Sequence, residues 1–172
     1  MAKKKASAGG PRGTPALVAL DRAGVAFEVM TYQAEPHGDG GYGLTAASAL
    51  GLDPATVFKT LMARVDGQLT CAIVPVSGHL DLKALAKAVG GKKAEMAPVP
   101  DAERATGYVV GGISPLGQKT ASPTVIDATA QGLEQVTVSA GARGLQVRLA
   151  PADLLRLTRG RYAPIGREGH LP

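Results

Sequence analysis

The feature that most constrains the fold is a glycine-rich segment at residues 106–119, TGYVVGGISPLGQK. A short apolar run from Tyr108 to Val110 ends abruptly at Gly111-Gly112. An apolar run of this length predicts a buried strand, and paired glycines permit a positive φ or a close approach to the backbone. Pro115 restricts its own φ and the residue before it. The segment therefore predicts a strand and then a rigid loop with exposed N–H groups, which is either a small-ligand floor or only a tight turn.

Composition bounds the fold class. The chain has 172 residues, of which 45% are hydrophobic, with no Trp and two Phe, so one domain with an aliphatic core is expected. Its 23 Gly and 12 Pro favour short elements and many turns over a helical bundle. About seven short strands interleaved with helices predict an α/β (α+β) domain with a mixed, curved sheet.

Positive charge is unevenly distributed along the chain. Most of the net charge of +5 lies in residues 1–13, which hold Lys3, Lys4, Lys5 and Arg12 and no acid. We expect this tail to be disordered, the domain to span residues 14–167 and a short tail to follow at 168–172. A second basic cluster comprises Arg156, Arg159, Arg161 and Arg167. Each cluster is either a solvated surface or a contact with a polyanion, and the near-neutral body limits any nucleic-acid footprint to a local patch.

Several classes of site and location are disfavoured. Cys71 is the only cysteine, which is consistent with a reducing compartment, and it alternates with apolar residues in a predicted strand, so a core thiol is expected. No secretory h-region and no membrane-length apolar run occurs, which predicts a cytoplasmic protein without membrane contact. The three histidines lack companions at metal-ligand spacing, and phosphate-binding glycine motifs are missing. No metal and no cofactor are therefore expected.

Periodicity and turn residues predict the order of the elements. Helices are expected near residues 14–23, 45–50, 81–89, 101–105 and 151–157. Strands are expected near residues 25–32, 57–65, 68–76, 93–96, 108–110, 124–127, 136–139 and 145–149. Asp66-Gly67 is a strong hairpin signal between two of these strands. A polar loop at residues 33–43 carries one aromatic residue, Tyr42.

One lysine has an unusual position. Lys59 alternates with Val57, Leu61, Ala63 and Val65 on one face of a predicted strand. A buried ammonium needs a partner, so Lys59 either extends to water at the sheet edge or points into a polar pocket, and the pattern alone does not choose between these. Polar or small residues also end two other predicted strands. Asp127 could be a structural turn residue, and Ser139-Ala140-Gly141 could form a second small-residue rim.

Six ordered blocks resemble the YbaK/EbsC family of aminoacyl-tRNA deacylases, which share a fold with the editing insertion of prolyl-tRNA synthetases. The blocks are TPA at residue 14, VFKTL around Lys59, PVSGHLDLKALAKAVG, the 106–119 segment, PTVIDA, and VSAGARGL. The resemblance covers roughly residues 14–167. It implies a single mixed α/β domain with a curved, barrel-like sheet and flanking helices, and it is strongest with the Cys-tRNA(Pro) deacylases.

The resemblance also implies roles for individual residues. It implies that Lys59 supplies positive charge near the terminal adenosine and the ester, and that the backbone N–H of Gly111 contacts the scissile carbonyl. The implied substrate-binding residues are Tyr32, Tyr42, Thr60, Gly112, Ile113, Ser114, Pro115, Ser139 and Gln146. The implied substrate is Cys-tRNA(Pro), whose own thiol attacks the ester to release a thiolactone. Aminoacyl-tRNA is then the implied partner, together with prolyl-tRNA synthetase.

One position departs from the family pattern. Gln146 lies where close relatives carry an aspartate, so the hydrogen-bonding capacity is kept and the negative charge is lost. This departure leaves open the editing of another misacylated tRNA, such as Ala-tRNA(Pro). A non-catalytic module that binds tRNA or a synthetase is a further alternative, although the retained Lys59 and Gly-Gly loop argue against it. The 33–43 loop also differs slightly, which makes Tyr42 a weaker assignment.

Overall fold

Two β-sheets that enclose a shared apolar core form the centre of the molecule. The computed structural model describes residues 13–33 and 41–168, so the expectations for the basic N-terminal tail, for residues 34–40 and for residues 169–172 lie outside the described residues. The strands are β1 (Phe27–Thr31), β2 (Phe58–Val65), β3 (Gln68–Pro75), β4 (Gly78–Leu80), β5 (Ala94–Met96), β6 (Thr124–Asp127), β7 (Val136–Ala142), β8 (Leu145–Leu149), β9 (Arg161–Ala163) and β10 (Gly166–Glu168). The helices are α1 (Pro15–Ala23), α2 (Gly41–Leu50), α3 (Leu82–Ala88), α4 (Val99–Thr106) and α5 (Pro151–Thr158), and 3-10 turns occur at Pro54–Thr56 and Ala128–Gly132.

The sheets are mixed and are not closed into a barrel. The first sheet has the order β1-β8-β7, and all its pairs are antiparallel. The second has the order β5-β2-β3-β6-β9, in which the β3–β6 and β6–β9 pairs are parallel. A separate antiparallel pair joins β4 to β10. The two larger sheets meet where Val57, just before β2, makes an isolated parallel bridge to Thr137 of β7. The mixed α/β class predicted from the sequence is thus confirmed.

Alternation of side chains along the strands explains where the core lies. Successive residues of a strand point to opposite faces. Phe58 and Met62 of β2 therefore enter the core between the sheets, whereas Ala63 and Val65 pack with Leu85 of α3 on the other face. The first sheet contributes Val136, Val138, Leu145, Val147 and Leu149 to the same central core. Cys71 is 1% exposed in this core, and burial raises the pKa of its thiol to about 12, as expected for a packed rather than reactive cysteine.

Local signals account for the best-predicted elements. The β2–β3 hairpin turns at Asp66-Gly67, where φ is 50° and 88°, the left-handed conformation that this dipeptide favours. Helix α3 begins at Asp81, whose carboxylate accepts the Ala84 N–H at 3.1 Å. Other boundaries differ from the predictions, since α2 begins at Gly41 rather than at residue 45. The three-residue strands β4, β9 and β10 were not predicted.

The strand predicted at residues 108–110 is wrong. Tyr108 is buried, but Val109 and Val110 are 52% and 38% exposed. No neighbouring strand pairs with this segment in the described part of the chain. Its backbone groups are satisfied locally instead, since Val110 N–H donates to the Glu103 carboxylate and Gly112 N–H donates to the Val109 carbonyl. An apolar run of three residues is compatible with a strand and also with one buried residue, here Tyr108, followed by an exposed turn. The sequence alone does not separate these two structures.

The C-terminal arginines predicted as a basic cluster are exposed and largely engaged with nearby groups. Arg156 pairs with Asp153 at 3.1 Å, and Arg167 pairs with Asp81 at 2.6 Å. Arg161 donates to the Ala88 carbonyl at 3.0 Å. Exposed ion pairs of this kind contribute little to stability, and contact of this cluster with a polyanion stays a prediction.

Asp127 is a structural residue that ties the end of β6 to the chain after β9. It is 3% exposed, and its Oδ1 accepts the backbone N–H groups of Ile165 at 3.0 Å and Gly166 at 2.7 Å. Its Oδ2 accepts the Thr129 hydroxyl at 2.6 Å and the Thr129 N–H at 3.3 Å. One carboxylate therefore satisfies donors from two segments, which is the structural role considered for Asp127 from the sequence.

Replacing Asp127 with alanine should destabilise the protein severely. Loss of the carboxylate leaves buried donors unpaired, which should lower the free energy of unfolding by roughly 2–4 kcal/mol. Urea denaturation monitored by circular dichroism measures this difference. Asp53→Ala is the matched control, because Asp53 is exposed and its Oδ1 accepts the Ala55 N–H in a 3-10 turn. Its loss should cost about 0.5–1 kcal/mol, and equal losses in the two variants would contradict this account of Asp127.

Candidate functional site

The predicted Gly-Gly loop forms a tight turn over residues 109–112. The Gly112 N–H donates to the Val109 carbonyl at 2.9 Å, and Gly111 has a φ of 94°. A positive φ at the third residue, with Val110 not positive at the second, identifies a type II turn, which requires glycine at that place. Gly112 is needed for a different reason, since a Cβ there would lie 2.9 Å from backbone atoms of Ala142 and Arg143. The turn is thus pressed against the β7–β8 hairpin.

Two charged side chains hold this turn at Val110. Glu103 of α4 accepts the Val110 N–H at 2.9 Å through Oε2. Arg143, at the tip of the β7–β8 hairpin, donates from Nε to the Val110 carbonyl at 2.9 Å. The next N–H along the chain, that of Gly111, finds no acceptor among residues 13–33 and 41–168. The arrangement therefore presents a fixed backbone donor whose partner is not supplied by the described protein.

The residues after the turn support it from below. Ser114 is fully buried, and its Oγ accepts the Leu116 N–H at 3.1 Å. Its carbonyl accepts the Gln118 side-chain amide at 3.0 Å. Pro115 is also buried, and Ile113 packs against the central core. These three predicted site residues therefore connect the turn to the buried part of the loop. The Ser114 hydroxyl makes its hydrogen bond within the loop itself.

Tyr108 anchors the start of the same loop. Its hydroxyl donates to the Leu116 carbonyl at 2.7 Å, and burial raises the pKa of the phenol to about 12. The ring also lies against Gly141, where a Cβ would come within 2.8 Å of Cε1. The loop and the β7–β8 hairpin are consequently packed against each other at two glycines, Gly112 and Gly141.

Two polar residues lie side by side on the outer face of the first sheet at this hairpin. Ser139 of β7 pairs with Gln146 of β8, which pairs in turn with Met30 of β1. Gln146 is only 6% exposed, and Ser139 Oγ accepts the Gly141 N–H at 3.1 Å. Tyr32, another predicted site residue, lies just beyond β1 and donates its N–H to the Gly144 carbonyl at 3.0 Å. The structure therefore places Tyr32, Ser139 and Gln146 around one hairpin.

Lys59 lies on the second sheet, two residues after the bridge that joins it to the first. The Val57–Thr137 bridge is parallel, so Lys59 and Ser139 each lie two residues beyond it in the same direction. Both residues also belong to the strand faces that point away from the central core. Lys59 Nζ donates to the Gly78 carbonyl at 3.0 Å, which leaves two ammonium protons for other acceptors. The Lys59 ammonium is thus held by a backbone carbonyl instead of extending freely into solvent.

The environment of Lys59 favours loss of its proton more than bulk water does. The side chain is partly buried, and this desolvation lowers the pKa of the ammonium from its ordinary 10.5. Its neighbour Thr60 points to the opposite face of β2, where its Oγ1 is buried and has no hydrogen-bond partner in the described part of the chain. Lys59 and Thr60 are adjacent in sequence, but they do not present their side chains to one pocket.

The remaining predictions about groups in the site have simpler outcomes. Tyr42 belongs to α2, but its side chain lies outside the described residues. Among the described residues, no group of three His, Cys, Asp or Glu side chains could hold a metal ion.

Within the same ranges, no helix combines the length and the hydrophobicity that crossing a bilayer requires.

Sequence reasoning missed Glu103, Gln118 and Arg143. Arg143 falls within the VSAGARGL block and Gln118 within the 106–119 segment, so these blocks could have singled them out, whereas Glu103 acts through a contact that no local pattern reveals. Gln118 donates to the Ser114 carbonyl, and its amide nitrogen also lies 3.8 Å from Cys71 Sγ. These residues hold the loop in place.

Comparisons with known proteins give the family. A model of the aminoacyl-tRNA editing domain matches residues 44–157. A protein of Enterococcus faecalis, named as a candidate Cys-tRNA(Pro)/Cys-tRNA(Cys) deacylase, is 44% identical over 123 residues, which are 70% of this chain and 74% of that protein. A proline–tRNA ligase of Geobacter metallireducens is 30% identical over 132 residues, which are 71% of this chain but only 23% of the ligase.

A solved structure agrees with both sequence relatives. The crystal structure of a candidate trans-editing enzyme for prolyl-tRNA synthetase superposes with a TM-score of 0.76 at 25% identity, covering 89% of this chain and 95% of that one. The family resemblance found in the sequence blocks and the predicted enzyme class, an aminoacyl-tRNA deacylase, are confirmed by these matches. The chain belongs to the aminoacyl-tRNA editing domain family.

Proposed function

We propose that this protein is a trans-editing deacylase that removes cysteine from Cys-tRNA(Pro). The observation that carries the proposal is the Gly111 N–H, a fixed donor with no acceptor among the described residues, on a turn packed against the β7–β8 hairpin. A backbone donor of this kind suits an ester carbonyl, whose oxygen gains negative charge during acyl transfer. The Enterococcus relative named for Cys-tRNA(Pro) and Cys-tRNA(Cys) supports the choice of substrate.

The proposed chemistry uses a nucleophile that belongs to the substrate. The cysteinyl sulfur attacks its own ester carbonyl carbon, and a four-membered thiolactone ring forms. The bond from that carbon to the ribose oxygen breaks, and the thiol proton ends on the ribose oxygen, which leaves tRNA with a free terminal hydroxyl. No enzyme side chain has to form a covalent bond. The protein contributes by orienting thiol and ester and by stabilising charge on the carbonyl oxygen.

Each candidate residue has a role in this scheme. The Gly111 N–H donates to the carbonyl oxygen, and the Lys59 ammonium supplies positive charge to that oxygen or to the terminal nucleotide. Gly112, Ile113, Ser114 and Pro115 hold the turn in position. The aminoacyl group and the adenosine are contacted by Tyr32, Tyr42, Ser139 and Gln146, whereas the Thr60 side chain, on the other face of β2 from Lys59, has no substrate contact in this scheme. Editing is needed because cysteine and proline are too similar in size for the synthetase's own pocket to separate them well. Prolyl-tRNA synthetase is the proposed partner that contributes recognition of tRNA(Pro), because the near-neutral body of this chain offers little charge for binding tRNA by itself.

Deacylation should be selective and should depend on Lys59. Purified protein should release tRNA from Cys-tRNA(Pro) and spare Pro-tRNA(Pro), as measured by loss of labelled amino acid from tRNA. Lys59→Ala should lower the rate roughly 100-fold, since removal of one charge-stabilising group commonly has that effect. Lys83→Ala, at an exposed position of α3, is the matched control and should be silent. Full activity in Lys59→Ala would overturn the role given to Lys59, and binding without turnover by the wild-type protein would favour a non-catalytic module.

Substrate sulfur should be required for rapid release. Ala-tRNA(Pro) and Ser-tRNA(Pro) should react at least about 100-fold more slowly than Cys-tRNA(Pro), because neither carries a thiol and a hydroxyl is a weak nucleophile at its free pKa. A deacylation panel measures these rates, and mass spectrometry of the released product detects the thiolactone. Comparable rates on the three substrates would indicate ordinary hydrolysis. Faster release from Ala-tRNA(Pro) would assign the protein to that substrate instead, as the Gln146 departure allows.

The contribution of Lys59 should disappear at high pH. Its lowered pKa means that the ammonium is charged below that pKa and neutral above it. The ratio of wild-type to Lys59→Ala rates should therefore be constant near neutrality and fall as the pH rises, earlier than for a lysine with the ordinary pKa of 10.5. Taking the ratio cancels ionisation of the substrate thiol. Lys59→Arg keeps its charge throughout, so its ratio to Lys59→Ala should not fall over the same range.

A further inference from the structure

Arg143 contacts the one peptide group whose orientation decides where the Gly111 N–H points. The Val110 carbonyl and the Gly111 N–H belong to the same planar peptide unit, and in a trans peptide they point in opposite directions. Arg143 Nε donates to that carbonyl at 2.9 Å. Because Arg143 fixes the direction of the Val110 carbonyl oxygen, it also fixes the opposite direction of the Gly111 N–H.

This peptide is also the one that a turn can flip. The turn over residues 109–112 is type II, and the peptide between its two central residues, Val110 and Gly111, has the opposite orientation in a type I turn. Glycine at the third position accepts either state, because it tolerates both signs of φ. Sequence alone therefore leaves two states open, and the Arg143 hydrogen bond is made to the carbonyl in only one of them.

The bond to Arg143 also changes the donor electronically. A guanidinium is a charged donor, and charge-assisted hydrogen bonds are about twice as strong as neutral ones. A hydrogen bond to a carbonyl polarises the whole peptide unit, which strengthens a bond that its N–H then donates by roughly 10–30%. The second charged contact of the turn differs in this respect. Glu103 accepts the Val110 N–H, which belongs to the preceding peptide unit.

We propose that Arg143 is a positioning residue that locks the Val110–Gly111 peptide with its N–H directed toward the substrate carbonyl and polarises that N–H. The proposal rests on the function proposed above only for its catalytic consequence. The lock itself is a property of the free protein. Glu103 anchors the same turn without touching the Gly111 peptide unit, so it provides the matched comparison.

The first test is nuclear magnetic resonance of the ¹⁵N-labelled free protein. Removing the Arg143 hydrogen bond with Arg143→Met should shift the Gly111 amide resonance upfield, because the Val110–Gly111 peptide unit is then less polarised. Arg143→Lys should give an intermediate shift. Glu103→Ala should move the Val110 amide strongly and the Gly111 amide little. An unchanged Gly111 resonance in Arg143→Met would overturn the lock, whether or not the protein is a deacylase.

The second test is steady-state deacylation of Cys-tRNA(Pro) with the same variants. Arg143→Met should lower kcat about tenfold with KM unchanged, because a donor to the developing oxyanion acts in the transition state. Arg143→Lys should recover part of kcat, and Glu103→Ala should stay within about threefold of wild type. A raised KM with unchanged kcat would overturn the proposal, since it would indicate that Arg143 contacts tRNA phosphate directly. Equal losses of kcat in Arg143→Met and Glu103→Ala would also overturn it, because general loosening of the turn would then suffice. An inactive wild-type protein would refute the proposed function and leave the resonance test to decide the lock.

Discussion

The candidate site depends on one junction, the parallel bridge between Val57 and Thr137 that brings the two sheets together. Both sheets must bury their apolar faces in one shared core, and strand geometry sends every alternate residue the other way. Lys59 and Ser139 follow the bridge by two residues each, so core packing directs each of them away from the core. A shift of either strand by one residue would exchange these side chains with Phe58 or Val138 of the core. The outward direction of these two polar side chains is consequently specified by the same register that specifies the core.

Packing also explains why the site would rely on the backbone. Ser114, the one hydroxyl side chain between the Gly-Gly turn and Leu116, is buried and holds the Leu116 N–H. Cys71 is buried with a raised pKa, which makes its thiolate rare. Side chains near the loop are thus used to fix it in place, and what the loop presents outward is a peptide N–H. Such a donor is already oriented before a ligand arrives, which is the condition for strong stabilisation of developing charge.

Prediction from the sequence succeeded where one local signal controls the outcome. Asp66-Gly67 specifies a tight hairpin, Asp81 begins α3, and strands β6 and β8 have the predicted ends. It failed at residues 108–110, because whether an apolar run pairs as a strand depends on a neighbour that the sequence does not show. The contacts of Glu103 and Arg143 with Val110 were beyond reach for the same reason. They join residues 7 and 33 positions apart through a turn whose type had to be known first.

Gln146 illustrates how burial constrains substrate recognition. The residue is 6% exposed and lies between Met30 and Ser139, neither of which is charged. A carboxylate at so buried a position would have to be compensated by a cation or by several hydrogen bonds. A glutamine avoids that cost, but its amide oxygen offers the ammonium group of an aminoacyl ester a hydrogen bond without the attraction between opposite charges that a carboxylate would add. The site would then bind the α-amino group, which all amino acids share, less strongly. Discrimination would depend more on the side chain of the substrate and on whether it carries a nucleophile.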